Sequence, residues 1–359
     1  MTRASHISFK DKHFYVGFDV HKKRWVVTIR HNGLRLKTFS MDPSPEGLKK
    51  YLEKNYPDGI YHLVYEIGFS GFWIYRRFKE LGIDCIVINP ADVPTAHKEM
   101  DRKSDPVDSN KLSRELEKGS LTSIYIPSED EQHLRSLCRL YTTTVQSTTR
   151  VKNRIKGLLY FNGIELPIHS SNWSAKFISF LQTLPLDNGP AKKTLSILME
   201  ELLLHRMHMV FILRELREYV RNDRSGIIIR LLRTVPGVGF KSAVILYTEI
   251  MDMKRFSNID KLRTYVGLVP SIHDSGETQS SSGLTPRKNS FIKYIIIESA
   301  WVAVRKDPAL LVCYNKLVSR MGSQQAIIRI AVKLLSRIRY VWLNERAYIP
   351  GIIEGTNAA

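Results

Sequence analysis

The chain has 359 residues, of which 43% are hydrophobic and 25% charged, and its formal net charge is +19. This composition is typical of a folded protein of two or three domains and excludes an intrinsically disordered chain. So large a positive charge indicates a polyanionic partner, most simply nucleic acid. The alternative, a basic membrane-surface protein, is weakened because the sequence has no uncharged apolar run of membrane-span length. No apolar export segment follows Met1, so we expect a cytoplasmic protein.

Residues 1–125 predict alternating strands and helices. Three strands of a meander come first, with Asn32-Gly33 as the turn between the second and the third. A helix, a fourth strand, a second helix and a fifth strand follow, and a third helix begins near Asp105. This order predicts an α/β domain with helices packed on a mixed sheet. The predicted elements before the third helix cover 14–19, 24–30, 34–39, 45–54, 61–66, 71–81 and 85–89.

Four carboxylates lie at the ends of these elements. Asp19 is at the end of the first strand, Glu66 at the end of the fourth, and Asp105 and Asp108 open the third helix. One interpretation is structural, with Asp105 as N-cap, Pro106 as first helical residue and Asp108 as a favourable first-turn charge. The other is a site for one or two Mg²⁺ ions, which prefer oxygen ligands and serve phosphodiester chemistry. The order of elements resembles the ribonuclease H-like fold in its Holliday-junction-resolvase (RuvC) version, in which the first and fourth strands are neighbours. That resemblance favours the metal site.

Residues 126–225 predict a region of long helices. A helix over 128–163 opens with an acidic capping sequence and a second covers 191–220, which predicts an antiparallel hairpin or a dimerising coiled coil. The apolar seam of the first helix is predicted at Leu134, Leu137, Tyr141, Val145, Thr148, Val151, Ile155 and Leu158. Basic residues away from the seam suit a phosphate backbone, although a solvated face fits them equally well. They are Arg139, Arg150, Lys152, Arg154 and Lys156.

Residues 226–350 predict a mostly α-helical C-terminal domain, and 351–359 a tail. The sequence from Pro236 to Gly239 lies between two apolar helical segments and looks like a helix-hairpin-helix. In such a motif, glycines such as Gly237 and Gly239 let backbone N–H groups face a phosphate. Lys241, directly after this turn, adds positive charge beside it.

A serine-rich loop is predicted further along this domain. Ser275 precedes Gly276 in that loop and is a candidate nucleophile, because glycine permits close approach of a substrate. Chemistry alone does not rank it above the neighbouring serines, which can equally form turns. These are Ser271, Ser280, Ser281 and Ser282.

Taken together, these motifs resemble the DEDD transposases of the insertion sequence 110 family, relatives of the Piv-type invertases. The resemblance covers nearly the whole chain. The chain departs from the family pattern at Pro286, Lys288 and Lys293, where a basic residue, a glycine and an arginine are usual. The loop nevertheless keeps its positive charge. The resemblance is carried by Gly17 to Lys22, Tyr65-Glu66, Asn89-Pro90, Lys103 to Asp108, Pro236 to Gly239, Gly267 to Pro270, Ser275-Gly276 and Gly283 to Lys293.

The resemblance implies that Asp19, Glu66, Asp105 and Asp108 hold the metal in a RuvC-like domain and that Ser275 is the nucleophile of a C-terminal transposase domain. It also implies donor and target DNA as substrates, a noncoding bridge RNA that pairs with both, and tetramers that join one subunit's acids to another's serine. Two other functions stay open: a junction nuclease that uses water, and a non-catalytic nucleic-acid-binding scaffold. The nucleic-acid contacts predicted for the C-terminal domain are Gly237, Gly239, Lys241, Arg287 and Lys288.

Overall fold

The computed structural model describes residues 8–94, 104–166, 173–184, 189–221, 224–275 and 278–350, and for 224, 272–275 and 278–282 it describes the backbone alone. The chain divides into two compact units, Met1–Ile126 and Pro127–Ala359. The further division of the second unit at residue 225 stays a prediction. None of the helices in these ranges combines the length and the apolarity that spanning a bilayer requires.

The first unit is built on a five-stranded mixed sheet with the strand order β3-β2-β1-β4-β5. β1 pairs antiparallel with β2 and parallel with β4, and β4 pairs parallel with β5. The predicted adjacency of the first and fourth strands is therefore confirmed. The elements are β1 His13–Val20, β2 Trp25–His31, β3 Leu34–Met41, α1 Pro45–Asn55, β4 Ile60–Glu66, α2 Trp73–Glu80, β5 Asp84–Ile88 and α3 Asp105–Glu117.

The two faces of β1 alternate, as the two-residue period of a strand requires. Phe14, Val16 and Phe18 are fully buried on one face, in a core that also contains apolar residues of α1 and α2. Gly17 is on the opposite face, against α3. Helices therefore cover both faces of the sheet, and Asp19, two residues after Gly17, belongs to the face that α3 covers.

Gly17 is a point of very close approach between β1 and α3. A Cβ here would lie 2.3 Å from the Ser113 amide nitrogen and 2.5 Å from the Ser109 carbonyl oxygen, so a side chain must push the helix away. We expect Gly17→Ala to lower the free energy of unfolding by about 1–3 kcal/mol, the usual cost of overpacking, in urea denaturation of the full chain. Gly157→Ala is the control, because open space surrounds that helical glycine and alanine should stabilise it by up to about 1 kcal/mol. Equal effects of the two substitutions would contradict this account.

Long helices dominate the second unit. The long helix α4 begins with a reciprocal capping box. The Ser128 hydroxyl accepts a hydrogen bond from the Glu131 backbone N–H, and the Glu131 carboxylate accepts one from the Ser128 backbone N–H. The predicted start of this helix is therefore confirmed. The elements are α4 Glu129–Phe161, α5 Ala175–Gln182, α6 Pro190–Tyr219, α7 Arg224–Leu232, α8 Phe240–Ile250, α9 Ile259–Val266, β6 Pro270–Ser275, β7 Thr278–Leu284, α10 Ser290–Lys306, α11 Pro308–Val318 and α12 Ser323–Asn344.

α4 and α6 pack against each other as an antiparallel pair. Tyr141, in the first half of α4, shares a core with Leu216 near the end of α6. Ile155, late in α4, shares a second core with Leu198 early in α6. Of the two arrangements that the sequence left open, the hairpin is thus present within one chain.

The predicted seam of α4 is wrong at one position. Val145 is exposed, and Thr144, one residue earlier, is buried in its place together with Thr148. The threonines tolerate burial because their hydroxyls donate hydrogen bonds to the carbonyl oxygens of Leu140 and Thr144, each at 2.8 Å. A pattern based on apolar side chains alone misses positions whose polar groups are satisfied within the helix.

The turn between α7 and α8 contains the Pro-Gly-Val-Gly motif. Gly237 has φ +84°, and a Cβ there would lie 2.2 Å from the Ser299 carbonyl oxygen of α10. Both the backbone conformation and the packing therefore require glycine at this position. Gly239, the N-cap of α8, has open space around its Cα. The packing accounts for Gly237 without a ligand, and phosphate binding by this turn stays a prediction.

The serine-rich segment forms a β-hairpin, so the predicted loop was wrong. Pro270 pairs with Leu284 at the base of the hairpin, and Ser275 pairs with Thr278 at its far end. The segment lacks the alternation of apolar residues that predicts a half-buried strand. Its two strands pair with each other, a local arrangement that hydrophobic periodicity does not detect.

A buried carboxylate holds the segment that follows α12. Asp307, 1% exposed, accepts hydrogen bonds from Arg337 Nη1 at 3.0 Å and from the Tyr348 hydroxyl. Burial, together with the hydrogen bond to Asp307, raises the pKa of Tyr348 to about 12. The folded pKa lies above the unfolded value near 10, so this contribution to stability is complete below pH 10 and is lost as the pH rises towards 12.

We expect wild-type protein to lose about 1 kcal/mol more unfolding free energy between pH 10 and pH 12 than Tyr348→Phe. This is less than the ~2.7 kcal/mol that two pKa units represent, because the Tyr348 ring is partly exposed to solvent. Urea unfolding at matched pH values measures the difference. Tyr340→Phe, at an exposed tyrosine of α12, should follow wild type. Identical pH profiles for all three proteins would rule out the contribution of Tyr348.

Candidate metal and phosphate site

Asp19 and Glu66 lie level with each other at the ends of two neighbouring parallel strands. Gly17 of β1 is paired with Val64 of β4, and each acid follows two residues later on the same face of its strand. Both side chains are half-buried. Parallel pairing therefore brings to one edge of the sheet two acids that are far apart in the sequence.

α3 brings a second pair of acids to this face of the sheet. Its N-cap is Ser104, whose carbonyl oxygen accepts hydrogen bonds from the backbone N–H groups of Val107 and Asp108, both at 2.9 Å. Asp105 is thus the first helical residue and Pro106 the second, so the predicted N-cap was wrong by one residue. Ser104 takes the cap position because its extended backbone, with φ −151°, directs its carbonyl into the first turn. The Asp105 carboxylate instead contacts side chains of the β1–β2 connection.

His21 and Arg24, in that connection, bind the two acids. His21 Nε2 lies 3.0 Å from Asp19 Oδ2 and 3.5 Å from Asp105 Oδ1, and Arg24 Nη2 lies 2.9 Å from Asp105 Oδ2. One ligand atom each from Asp19, His21 and Asp105 lies within 4.8 Å of the others. Two carboxylates this close repel each other, and the imidazole between them and the guanidinium beside them offset that repulsion.

The chemistry of these side chains fits a divalent cation. The hydrogen bond from Arg24 holds the pKa of Asp105 below its usual range, against the smaller effect of partial burial. Asp105 is therefore ionised at neutral pH, as a metal ligand must be. Carboxylate oxygens suit Mg²⁺ and Mn²⁺, whereas an imidazole nitrogen suits Zn²⁺ better. Asp19 and Asp105 can supply oxygen ligands, with His21 as a third ligand or as the bridge between them.

Glu66 and Asp108, the other two predicted ligands, lie outside this compact group. Within the described residues, no set of three ligand atoms at this spacing includes either of them. Glu66 nevertheless ends the strand next to Asp19, and Asp108 lies in the first turn of α3, one turn from Asp105. The structure thus brings two of the four predicted acids together, with Glu66 on the neighbouring strand and Asp108 one turn further along α3.

Sequence reasoning missed His21 and Arg24. The signal for His21 was its position two residues after Asp19, a spacing that returns a side chain to the same face of an extended segment. Nothing in the sequence distinguishes Arg24 from Lys22 and Lys23 before it. Its role depends on the path of the connection, which places its guanidinium against the start of α3.

Three consecutive basic residues line a cavity next to Asp105. Lys22, Lys23 and Arg24 line an open cavity of about 490 Å³ together with Phe69 and Asp105. The Lys22 Nζ atom lies 5.9 Å from the centre of the Phe69 ring, and Phe69 is 63% exposed. Lysines and arginines bind phosphates, and exposed rings stack on bases. The cavity thus places the Asp105 carboxylate, a possible cation ligand, beside basic side chains that can bind a phosphate.

Arg139, a predicted nucleic-acid contact, is engaged within the fold. Its guanidinium donates to both oxygens of buried Glu249 at 2.7 and 2.9 Å, and Asn289 donates to the same carboxylate at 2.9 Å. Burial acts to raise the pKa of Glu249, but the hydrogen bond and charge of Arg139 outweigh it, and the pKa is lowered. This arginine therefore has a structural role, and binding of nucleic acid by it stays a prediction.

The other predicted contacts of α4 lie further along the helix. Arg154 Nη1 is 3.1 Å from Glu201, and the Lys152 Nζ atom lies over the Trp173 ring, 5.6 Å from its centre. These contacts leave charge at the protein surface, because the Arg154 and Lys152 side chains remain fully or partly exposed. The remaining members of this set, equally at or near the surface, are Arg150 and Lys156.

The predicted contacts of the second unit also lie at the surface. Lys241, Arg287 and Lys288 are exposed, and the Lys241 Nζ atom lies 5.4 Å from the centre of the Tyr141 ring. Ser275 ends β6 at the far end of the hairpin, and its side chain lies outside the described part of the chain. The structure therefore locates the backbone of the predicted nucleophile and gives no contact of its hydroxyl.

Two family models match the chain. One, a transposase model of the DEDD type named for IS110, matches residues 16–162. The other, described as Transposase IS116/IS110/IS902 family, matches residues 229–315. The chain belongs to the IS110 family of transposases. The mixed sheet of the first unit is compatible with the ribonuclease H-like DEDD domain of this family.

Proteins similar to this IS110 transposase are named as transposases or as a gene-inverting protein. It is 27% identical to a Sinorhizobium fredii protein named as a transposase, y4qE, over 80% of this chain and 71% of the relative. It is 24% identical to the transposase for insertion sequence element IS1111A of Coxiella burnetii, over 74% and 73%. It is 33% identical to the pilin gene-inverting protein of Moraxella bovis, over 30% and 34%. A transposase cleaves and recombines DNA, so the interpretation as a non-catalytic scaffold loses its support.

Proposed function

We propose that this IS110 transposase moves its insertion sequence by Mg²⁺-dependent cleavage and rejoining of DNA through a phosphoserine intermediate. The observation that carries the proposal is the proximity of Asp19 and Asp105, from β1 and α3, next to a cavity lined by Lys22, Lys23 and Arg24. Phosphodiester chemistry requires two components: acidic side chains that hold a cation, and basic side chains beside them that hold a phosphate.

In this proposal, Asp19, Glu66, Asp105 and Asp108 hold one or two Mg²⁺ ions. When bound, the ion neutralises the charge that develops on the scissile phosphate and on the leaving oxygen. Lys22 and Lys23 hold the flanking phosphates of the strand. The Pro106 ring fixes the first turn of α3, so the two acids of this helix are presented with little conformational freedom.

Ser275 is the proposed nucleophile. Its Oγ forms a bond to the scissile phosphorus while the bond from phosphorus to one DNA oxygen breaks. The proton that the serine loses is matched by the proton that the leaving hydroxyl gains. One phosphodiester replaces another, so the reaction needs no nucleotide hydrolysis, and reversal with a different DNA hydroxyl rejoins the strands.

A covalent adduct tests this mechanism. Wild-type protein incubated with Mg²⁺ and labelled element-end DNA should give a slowly migrating protein–DNA band on a denaturing gel, and Ser275→Ala should give none. Ser280→Ala, at a neighbouring serine of the same hairpin, is the matched control and should keep the band. An undiminished band in Ser275→Ala removes this serine from its role, and cleaved ends without any band favour a nuclease that uses water.

We also propose a noncoding bridge RNA as guide and an assembly of dimers into a tetramer. The charge of +19 exceeds what folding requires and suits two nucleic-acid partners. One face of α6 carries exposed apolar residues at helical spacing, which suits packing against a second copy. They are Leu203, Leu204, Met207, Val210 and Phe211.

Two measurements test the partners. Protein purified without nuclease treatment should retain a discrete RNA, visible on a gel after phenol extraction, and a random RNA smear would count against a guide. Light scattering should give the mass of an oligomer for wild type and a lower mass for Met207→Glu/Phe211→Glu. An unchanged mass would exclude this face of α6 from the assembly.

A further inference from the structure

We propose that a cavity at the base of the β6–β7 hairpin binds one unpaired nucleotide of a single-stranded segment of DNA or RNA. The proposal rests on the transposase function above, because recombination exposes single strands to this unit. The cavity measures about 440 Å³. That volume lies within the range of about 300–1,000 Å³ that is typical of small-ligand pockets.

The C-terminal helix α12 has two distinct faces, and one of them lines this cavity. Ile330, Ala331 and Leu334 are fully buried and face the core of the unit. A second stripe, displaced around the helix, faces the cavity. It consists of Gln324, Gln325, Ile328, Arg329 and Val332.

The residues that line the cavity are of the kinds that bind the face and the edge of a nucleobase. Leu268, Ile328 and Val332 supply an apolar surface for the flat face of a base. The carboxamides of Gln324 and Gln325 each offer a donor and an acceptor, the pairing that recognises the edge of an unpaired base. Apolar walls with a few convergent amides favour a nucleobase over a simple anion.

Arg263 and Arg329 add phosphate recognition to this cavity, and they are its charged lining residues in the part of the chain described. Arg263 Nη1 pairs with Asp260 at 2.9 Å, while Arg263 Nε is buried and lacks a hydrogen-bond partner among the described residues. The Arg263 guanidinium carries further N–H donors besides the one that binds Asp260, and these can bind a phosphate oxygen. The two guanidiniums favour an anionic nucleotide over a neutral ligand.

The cavity lies at the base of the hairpin, and the predicted nucleophile lies at its far end. Pro270 lines the cavity, and Ser275 follows five residues later at the far end of the same strand, a separation of about 17 Å at ~3.3 Å per residue. A stacked strand rises ~3.4 Å per nucleotide, so the bound base would lie about five nucleotides from a phosphate at Ser275. The cavity would thus fix the path of the strand without touching the reacting atoms.

Binding of short single strands tests the cavity. Fluorescein-labelled twelve-nucleotide DNA and RNA strands are titrated with the full chain, in EDTA so that no cleavage occurs, and polarisation gives the Kd. Gln325→Ala and Ile328→Trp, which remove an amide and fill the cavity, should each weaken binding about ten-fold, the scale of one base contact. Arg320→Ala, at an exposed arginine outside the cavity, should stay within two-fold. The strand that loses more affinity identifies DNA or RNA as the source of the nucleotide.

Photocrosslinking gives a second readout that needs no variant. Strands with one 5-iodouracil (DNA) or 4-thiouracil (RNA) should crosslink to peptides of α9 or of residues 321–332. Wild-type affinity in Gln325→Ala, with its thermal melt unchanged, overturns the proposal, as do crosslinks that map elsewhere or a chain that binds neither strand. Gln325 is exposed, so its truncation leaves the core intact even where Ile328→Trp disturbs folding. Because binding is read without cleavage, failure of the serine adduct and failure of this cavity are separate results.

Discussion

Replacing Asp105 by asparagine should slow DNA strand cleavage by about a thousand-fold and leave DNA affinity within about two-fold of wild type. The amide keeps the size of the side chain and removes the negative charge that would hold the cation next to Asp19. A thousand-fold loss corresponds to roughly 4 kcal/mol of transition-state stabilisation, the scale that metal catalysis supplies. Single-turnover cleavage of labelled element-end DNA in Mg²⁺ measures the rate, and polarisation in EDTA measures the affinity.

Two further variants separate loss of the metal site from general damage to this unit. Asp19→Asn should give a loss of the same size, and the double variant should lose little more, because the two acids act on one ion. Asp42→Asn, at an exposed acid of the same unit, should cleave at the wild-type rate. Mn²⁺ binding followed by electron paramagnetic resonance should weaken in Asp105→Asn. Cleavage within ten-fold of wild type in Asp105→Asn would refute the role of this acid.

Arg139→Met is expected to lower the unfolding free energy of the second unit by about 3 kcal/mol. The substitution leaves the carboxylate of Glu249, 2% exposed, without its principal partner, and breaking a buried ion pair on one side costs about 3–5 kcal/mol. We expect the lower end of that range, because Asn289 still donates to Glu249 at 2.9 Å. Urea denaturation followed by circular dichroism measures the change.

Two further variants separate the loss of this ion pair from the loss of an exposed one. Arg139→Met/Glu249→Leu removes both charges and should recover at least about 1 kcal/mol, since no buried charge is left unpaired. Arg154→Met breaks an exposed pair with Glu201 and should cost less than about 1 kcal/mol. If Arg139→Met proves as stable as Arg154→Met, the pair of Arg139 with buried Glu249 does not stabilise the unit.

The sequence predicted the first unit well because its elements depend on local patterns. The apolar runs of β1 and β4 and the Asn32-Gly33 turn each encode their element within a few residues, and in the second unit the capping sequence at Ser128 does the same for α4. The adjacency of β1 and β4 came from a resemblance to a known fold and is present in the sheet. Prediction was therefore accurate where short-range chemistry decides the structure.

Prediction failed where one segment depends on another. His21 and Arg24 bind the acids only because the β1–β2 connection passes the start of α3, which no local pattern encodes. The structural partner of Arg139 lies on α8, more than a hundred residues away. The hairpin around Ser275 has strands without apolar alternation, and the seam of α4 includes threonines that hydrogen-bond within their own helix. The contacts between distant segments are tertiary, and periodicity in a single sequence does not reveal them. Hydrogen bonds of polar residues within a helix are likewise not visible in a pattern of apolar residues.

The contacts of His21 and Arg24 have a consequence for how the protein acquires its cation. The chain balances the charge of its own acids, so the first unit can fold before any metal arrives, and purified protein should survive chelation without unfolding. A cation held by Asp19 and Asp105 would compete with Arg24 for the Asp105 carboxylate, and the guanidinium would remain close enough to bind a phosphate of the DNA. Occupancy of the site is therefore a competition, and saturation should require more metal in the free protein than in the protein bound to DNA.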